Sequence, residues 1–346
     1  MQSMFGRPLK LLLLALVSLG VAGTAPPAPE AQIIDTRMIW GRAPHSSGTD
    51  LLRFRDRWYC VFRERSQVGS PDGSVRLLSS AEGRVWQSSA LLTLPGGGLS
   101  DPKLSAAPYG RLLINAEAVS DGGPGPSHRT VVWSSSDARE WEGPVQSGDS
   151  GMRLWRPAWH LGRAYSVGFA IPGPGPVRLY SSGEGERYMV QADNLFPPRS
   201  NAEGALLFQP DGAALCLLGG DGVKFPAQIG ASRAPYRAWT WTVLSRGIEG
   251  PGMLRLVDGR IVAAGRIGGD SPHIGLCWLD PGRGTLTEFL RLPSGGDTGG
   301  PGLAFYNDML WVTYHSSHEG RSMIYLAQLG LLPPDDGKKP TNKLAF

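Results

Sequence analysis

Six times along the chain an apolar stretch meets two turn-forming residues and a second apolar stretch, and in five of the six a polar residue or glycine follows at a fixed distance. The turns fall at Asp56-Arg57, Tyr109-Gly110, Leu161-Gly162, Asp211-Gly212, Asp258-Gly259 and Asn307-Asp308. Taking Asp56, Gly110, Gly162, Gly212, Gly259 and Asp308 as markers, the gaps are 54, 52, 50, 47 and 49 residues. Apolar runs on both sides of a short polar turn are the pattern of a β-hairpin. Hairpins repeated at a period near fifty build a propeller, one blade per repeat. The expectation is therefore an all-β, six-bladed β-propeller over residues 32–332, with very little helix. Residues 33–40 lie outside the six hairpins and are predicted to supply the outer strand of the last blade, which closes the ring and leaves no free edge.

The same register places a site. Seven residues after the markers stand Arg63, Glu117, Phe169, Gly219, Arg266 and His315. Inner strands of all blades run beside the central channel, so their equivalent ends meet at one mouth. Glu203 and Asp101 each stand nine residues before their markers, and Asp50 six before its own, so these carboxylates are predicted to open on the same mouth. The alternative for all three is a solvated or turn-capping carboxylate. Glu64 and Asp72 follow Arg63, and either can serve as acid/base or form a salt bridge with Arg63 or Arg65. In the last repeat Tyr314 and His315 stand beside His318 and Glu319. Tyr314 either joins this cluster at the mouth or, following the alternation in LWVTYH, points into the core; His315 takes the rim register, where an imidazole can hold a sugar hydroxyl or exchange a proton. Trp155 begins an inner strand and either stacks on a sugar or fills space between blades.

A second motif follows the hairpins. SSAEGRVW ends at Trp86, SSSDAREW at Trp141, SSGEGERY at Tyr188 and SRAPYRAW at Trp239. This spacing suits a tight turn between the two outer strands, with the aromatic packed between blades. These segments resemble degenerate copies of the Asp-box, or bacterial neuraminidase repeat, of the sialidase superfamily, with Ala81, Ser136, Gly183 and Ala234 where relatives usually carry Asp. TDLLRFRDRWYCVFRE (residues 49–64), SDPKL (100–104), LPSGGDT (292–298) and SSHEGRSMIYLA (316–327) are similar to a bacterial group of exported sialidase-like proteins, over nearly the whole mature chain.

The resemblance implies a six-bladed propeller and an exo-glycosidase. Sialidases use a tyrosine nucleophile assisted by a glutamate, a carboxylic acid/base and three arginines that grip the sugar carboxylate. Glu203 in NAEGALLFQPDG resembles the tyrosine-assisting glutamate. The chain departs elsewhere: Gly219 stands where relatives carry an arginine, Gly300-Pro301-Gly302 where they tend to read Tyr-Pro-Gly, and the Phe-Arg-Ile-Pro motif is missing before Leu51. The candidate set is thus Glu203, Asp101, Glu64 and Tyr314 for chemistry, and Arg63, Arg266, Asp50, Glu117, His315 and His318 for ligand binding. Two readings stay open, an exo-glycosidase with a degenerate site and a non-catalytic propeller that binds glycan or protein.

Composition narrows the partners. Arg7 and Lys10 precede an apolar run over residues 11–22, with small residues at Gly23 and Ala25, the pattern of an export signal over residues 1–25. The run is shorter than the roughly 20 residues of a spanning helix, so a secreted or periplasmic chain without stable membrane insertion is expected. The formal net charge of +4 falls to about +2 without Arg7 and Lys10, and no basic run precedes the charged tail at 333–346, which leaves little support for nucleic acid. Cys60, Cys216 and Cys277 sit singly in apolar segments and read as buried thiols. No phosphate loop, dinucleotide fingerprint or metal-ligand spacing is present, so no cofactor is expected.

Overall fold

The computed structural model describes residues 31–67, 69–70, 72–120, 127–199, 203–220 and 225–331. Residues 1–25, read from the sequence as an export signal, and the tail at 333–346 lie outside the described residues. Strand β1 (Ala31–Trp40) precedes the first blade, which is β2 (His45–Phe54), β3 (Arg57–Arg65), β4 (Ser74–Ser80) and β5 (Gln87–Leu92). The second blade holds β6 (Gly97–Ala106), β7 (Leu112–Ser120), β8 (Ser127–Ser135) and β9 (Glu142–Ser147). In the third, β10 (Met152–Leu154) and β11 (Ala158–His160) share one inner edge and lead to β12 (Arg163–Ala170), β13 (Gly175–Ser182) and β14 (Met189–Arg199). The fourth comprises β15 (Gly204–Phe208), β16 (Ala214–Leu218), β17 (Gln228–Ser232) and β18 (Thr240–Val243). The fifth comprises β19 (Glu249–Arg255), β20 (Ile261–Ile267), β21 (His273–Asp280) and β22 (Thr285–Arg291). The sixth contributes β23 (Gly299–Tyr306), β24 (Met309–Ser316) and β25 (Met323–Leu331).

The order β1-β25-β24-β23 completes the sixth blade with the N-terminal strand, antiparallel from Ala31 opposite Leu331 to Trp40 opposite Ile324. Both ends of the described chain are thereby joined by sheet hydrogen bonds, and the ring closes as the sequence predicts. Inner strands touch their neighbours around the axis, β2 meeting β6 and β23, and β19 meeting β15 and β23.

Five of the six inner hairpins turn where their markers stand. The first turns one residue early, at Arg55 and Asp56, both in the left-handed region at φ 46° and 61°. That pair of positive φ angles suits a two-residue hairpin loop, whose twist matches that of its strands.

The core is a series of clusters between adjacent blades rather than one central body. Val61, Leu77, Leu104 and Ile114 join blades one and two, and Val167, Leu179, Leu206 and Cys216 join three and four. Trp58 and Trp311, 4.4 Å apart, bind blade one to blade six. Cys60, Cys216 and Cys277 lie in three different clusters, so no pair can form a disulfide. Burial pushes all three thiols up, Cys277 to about 12, which leaves them inert.

The second motif builds the turns between outer strands. Ser80, Ser135 and Ser182 accept a hydrogen bond from the backbone N–H three residues on, at Gly83, Ala138 and Gly185, at 2.8–2.9 Å. Trp86 and Trp239 then donate their indole N–H to the carbonyls of Gly83 and Tyr236, both at 3.0 Å. In blade two Asp137 also caps the turn, accepting from the backbone N–H groups of Arg139 and Glu140 at 2.8 and 3.0 Å.

Candidate functional site

Four inner strands carry the same irregularity just before the mouth. Each has one extra residue relative to its partner, between Ser47 and Asp50, Ser100 and Lys103, Glu249 and Gly252, and Gly299 and Gly302. Such bulges re-aim the residues beside them. The residue in the left-handed region is Gly48, Gly250 or Gly300 in three of them, at φ 64°, 57° and 54°. In the second blade it is Asp101, at φ 47°. An L-residue there costs on the order of 1 kcal/mol, which glycine avoids, so a carboxylate is kept at this bulge against local strain.

Blades three and four occupy the same level differently. The inner edge of blade three is interrupted at Trp155-Arg156-Pro157, where proline cannot continue the ladder. Asn115 and Ser166 satisfy the freed Trp155 carbonyl. In blade four Glu203 directly precedes β15, its carbonyl accepting from Gly219 N–H at 2.8 Å.

All six blades converge on one cleft of about 280 Å³. Its lining includes Arg65, Asp101, Lys103, Trp155, Glu203, Glu249, Arg266, Asp297 and His315. Arg153 donates to Asp101 at 2.9 Å, and Arg266 donates through one nitrogen to both oxygens of Glu249 at 2.9 Å. Lys103 is only 5% exposed and lies 4.5 Å above the centre of the Trp155 ring, with Arg153 at 5.1 Å from it. Trp155 is thus a buried floor carrying two cations, and its face is not open to a sugar.

Charge sorts the carboxylates. Burial pushes the Glu203 carboxyl above the usual range; Arg153 and Lys103 oppose the rise and the Asp101 charge reinforces it. Burial also works against Asp101, but Arg153, Lys103 and Arg63 outweigh it and hold that carboxyl below its usual range. Two neighbouring carboxyls driven in opposite directions are the pattern of an acid paired with an ionised partner. At the blade-six rim His45 lies 2.7 Å and His315 3.6 Å from the two oxygens of Asp297. The two histidines, His315 foremost, hold this carboxyl far below its usual range despite partial burial.

The residues nominated from sequence divide clearly. Glu203, Asp101, Arg266 and His315 line the cleft. Arg63 lies beside it, near Asp101 and Glu117, donating to the carbonyls of Ser70 and Asp72. Asp50 is buried beneath, paired with Arg156 at 3.2 Å. Glu117 is tied to Ser100 and His128 and lies 3.6 Å from Arg153, so it supports the site from below.

Three placements differ from the role considered. Glu64 alternates with Arg63 and faces a separate, larger groove of about 760 Å³, where Trp40 and Arg76 satisfy both its oxygens. Tyr314 is fully buried, donates to the Pro293 carbonyl at 2.8 Å and stacks on Tyr325. His318 bonds Ser316 and packs on Tyr325, away from the cleft. Lys103, Arg65, Glu249 and Asp297 are cleft residues that the repeat register did not nominate.

The two departures from the sialidase pattern are enforced by packing. A Cβ at Gly219 would sit 2.9 Å from Pro251 and 3.0 Å from the Ile248 carbonyl. One at Gly300 would meet the Gly48 Cα at 2.8 Å. Neither an arginine nor a tyrosine fits these positions without moving backbone. We expect Gly219→Arg to lower the stability by about 1–3 kcal/mol, read from the urea unfolding curve, and to confer no cleavage of an α-sialoside by the purified protein.

No protein-family model matches the chain, and no curated protein is detectably similar in sequence. Solved structures are similar in fold. A protein of unknown function from Dyadobacter fermentans superposes with TM-score 0.74 at 17% identity, over 88% of this chain and 100% of that one. The α-L-arabinofuranosidase of Fusarium graminearum, solved with arabinobiose, gives 0.64 at 13%, over 86% and 98%. A mutant Trypanosoma rangeli sialidase with trans-sialidase activity gives 0.65 at 9%, over 88% of this chain and 60% of that one. With six antiparallel blades, N-terminal closure and one ionisable mouth, the chain has the six-bladed β-propeller fold of sialidases and of this arabinofuranosidase.

Proposed function

We propose that the protein is an exported glycoside hydrolase that removes a terminal sugar from a glycan, with Glu203 as proton donor. The observation that carries this reading is the opposed pair in one cleft, Glu203 driven toward its neutral acid form and Asp101 toward its anion. A neutral acid can protonate the leaving oxygen of a glycosidic bond. Asp101 tunes that acid, since its charge discourages ionisation of Glu203. Arg65, Lys103 and Arg266 supply donors for sugar oxygens or an acidic substituent. Glycan-cleaving proteins among the fold neighbours support the reaction class. With glycines at positions 219 and 300, the tyrosine and one arginine of the sialidase clamp have no counterpart, so sialosides are expected to be poor substrates.

The test is a panel of 4-nitrophenyl glycosides, including an α-L-arabinofuranoside, uronides and an α-sialoside, with wild type against Glu203→Gln. No turnover on any of them, together with saturable binding of an oligosaccharide, favours the non-catalytic reading, to which the Asp101–Arg153 and Glu249–Arg266 ion pairs lend support.

The pH profile carries a separate expectation. An acid must be protonated, so kcat/KM falls as pH rises through the raised Glu203 value. Removing the Asp101 charge lowers that value, and Asp101→Asn should move the alkaline limb to lower pH. An unmoved limb would mean that Asp101 does not govern the acid.

A further inference from the structure

Four carboxylates line the cleft, and their partners distinguish them. Asp101 is neutralised by Arg153, Glu249 by Arg266, and Glu203 is pushed toward its neutral form. Asp297 is different. Its ion-pair partners among the described residues are two histidines, His45 of β2 and His315 of β24.

Both imidazoles are fixed in one form. Arg65 donates Nε–H to His45 Nδ1 at 3.2 Å, and the Gly48 backbone N–H donates to His315 Nδ1 at 3.2 Å. A nitrogen that accepts a hydrogen bond carries no proton, so each neutral ring bears its hydrogen on Nε2. Each Nε2 is directed at Asp297, one at 2.7 Å and one at 3.6 Å, the latter too long for a hydrogen bond but within electrostatic reach. Protonating the His45 ring would set its Nδ1–H against the Arg65 donor, and burial, with the Arg65 charge, further disfavours charge there. Asp297 is therefore oriented by the Nε2 atoms of two imidazoles, is held as the carboxylate, and leaves 45% of its side chain exposed at the cleft.

We propose that Asp297 is the catalytic carboxylate whose uncompensated charge stabilises the positive charge that develops on the sugar as the glycosidic bond breaks. The inference rests on the hydrolase reading and adds the partner that the proton donor needs. Glu203 gives its proton to the departing oxygen, and the bond from that oxygen to the anomeric carbon breaks with both electrons going to oxygen. With the sugar bound between these two cleft carboxyls, Asp297 faces the oxocarbenium-like carbon and ring oxygen from the side away from Glu203. Water then adds from the Glu203 side, returning a proton to the Glu203 carboxylate and giving the free sugar with its configuration retained. Asp297 leaves the cycle unchanged. A strongly acidic carboxyl suits this task, because it stays ionised and does not intercept the proton. The cation exists only near the transition state, so stabilising it raises kcat without tightening ground-state binding.

The experiment uses the full chain and whichever nitrophenyl glycoside wild type cleaves best. Asp297→Asn, similar in size, should lower kcat about 10²- to 10³-fold with KM within about threefold, an unchanged thermal midpoint being required. Proton NMR of the first product should show retention. His45→Ala, which removes an orienting donor, should shift the acid limb of kcat/KM to higher pH, a movement that a purely structural histidine would not produce. Asp297→Asn turnover within about threefold of wild type, or inversion, overturns the proposal while leaving the Glu203 reading intact. A wild type inert toward the whole panel defeats both.

Discussion

Replacing Glu203 by Gln should abolish most glycoside turnover while leaving the protein folded. A positioned general acid contributes about 10²- to 10⁴-fold, and an amide of nearly the same shape has no proton to give. The carboxylate accepts a hydrogen bond from the Gly250 backbone, and the glutamine carbonyl can replace that acceptor, so the thermal midpoint should hold. The loss should depend on the leaving group. A nitrophenolate departs with little help, whereas a sugar alkoxide must be protonated. The deficit is therefore expected to be largest on an oligosaccharide and smallest on the aryl glycoside. The alkaline limb of the wild-type profile should vanish as well. A uniform loss across leaving groups, with KM raised in parallel, would instead make Glu203 a binding residue.

The fold was legible because a propeller repeats its turns, and turn chemistry is local. Hairpin markers near a fifty-residue period gave six blades, and a leftover apolar segment gave the closing strand. The offset of seven also chose equivalent heights: Arg63, Glu117, Arg266 and His315 each lie opposite the residue that opens a bulge. Which side chains enter the cleft was less legible. Strand alternation separates Arg63 from Glu64 and Tyr314 from His315, but one extra residue in an inner strand reverses the phase, and a bulge leaves little trace in hydrophobicity. Counting nine back from the third marker also reaches Arg153, at the level of Asp101 and Glu203. Its role depends on a partner 52 residues away. Asp297 is further removed, since His45, its hydrogen-bond partner, lies 252 residues earlier and meets it only when the ring closes.

The largest effect on stability is expected at Asp50. Its side chain is 2% exposed, accepts from the backbone N–H of Leu51 at 2.9 Å and of Leu104 at 2.8 Å, and faces Arg156 Nε at 3.2 Å. Arg156 also donates to the Leu51 carbonyl at 3.2 Å. One carboxylate therefore binds the inner edges of blades one, two and three around the axis, at the level just below the cleft. Asp50→Ala strands two buried N–H groups and a guanidinium together. Breaking a buried ion pair from one side costs about 3–5 kcal/mol, a large fraction of the 5–15 kcal/mol that holds an ordinary domain. Asp50→Asn should recover little, because its NH₂ group would face donors on either side. The measurement is the urea midpoint of each variant against Glu142→Ala, whose carboxylate is 79% exposed in its pair with Arg111 and should leave the midpoint unmoved. If Asp50→Ala unfolds with the control, the three blades are held by their apolar interfaces alone and the polar ring beneath the cleft contributes only geometry.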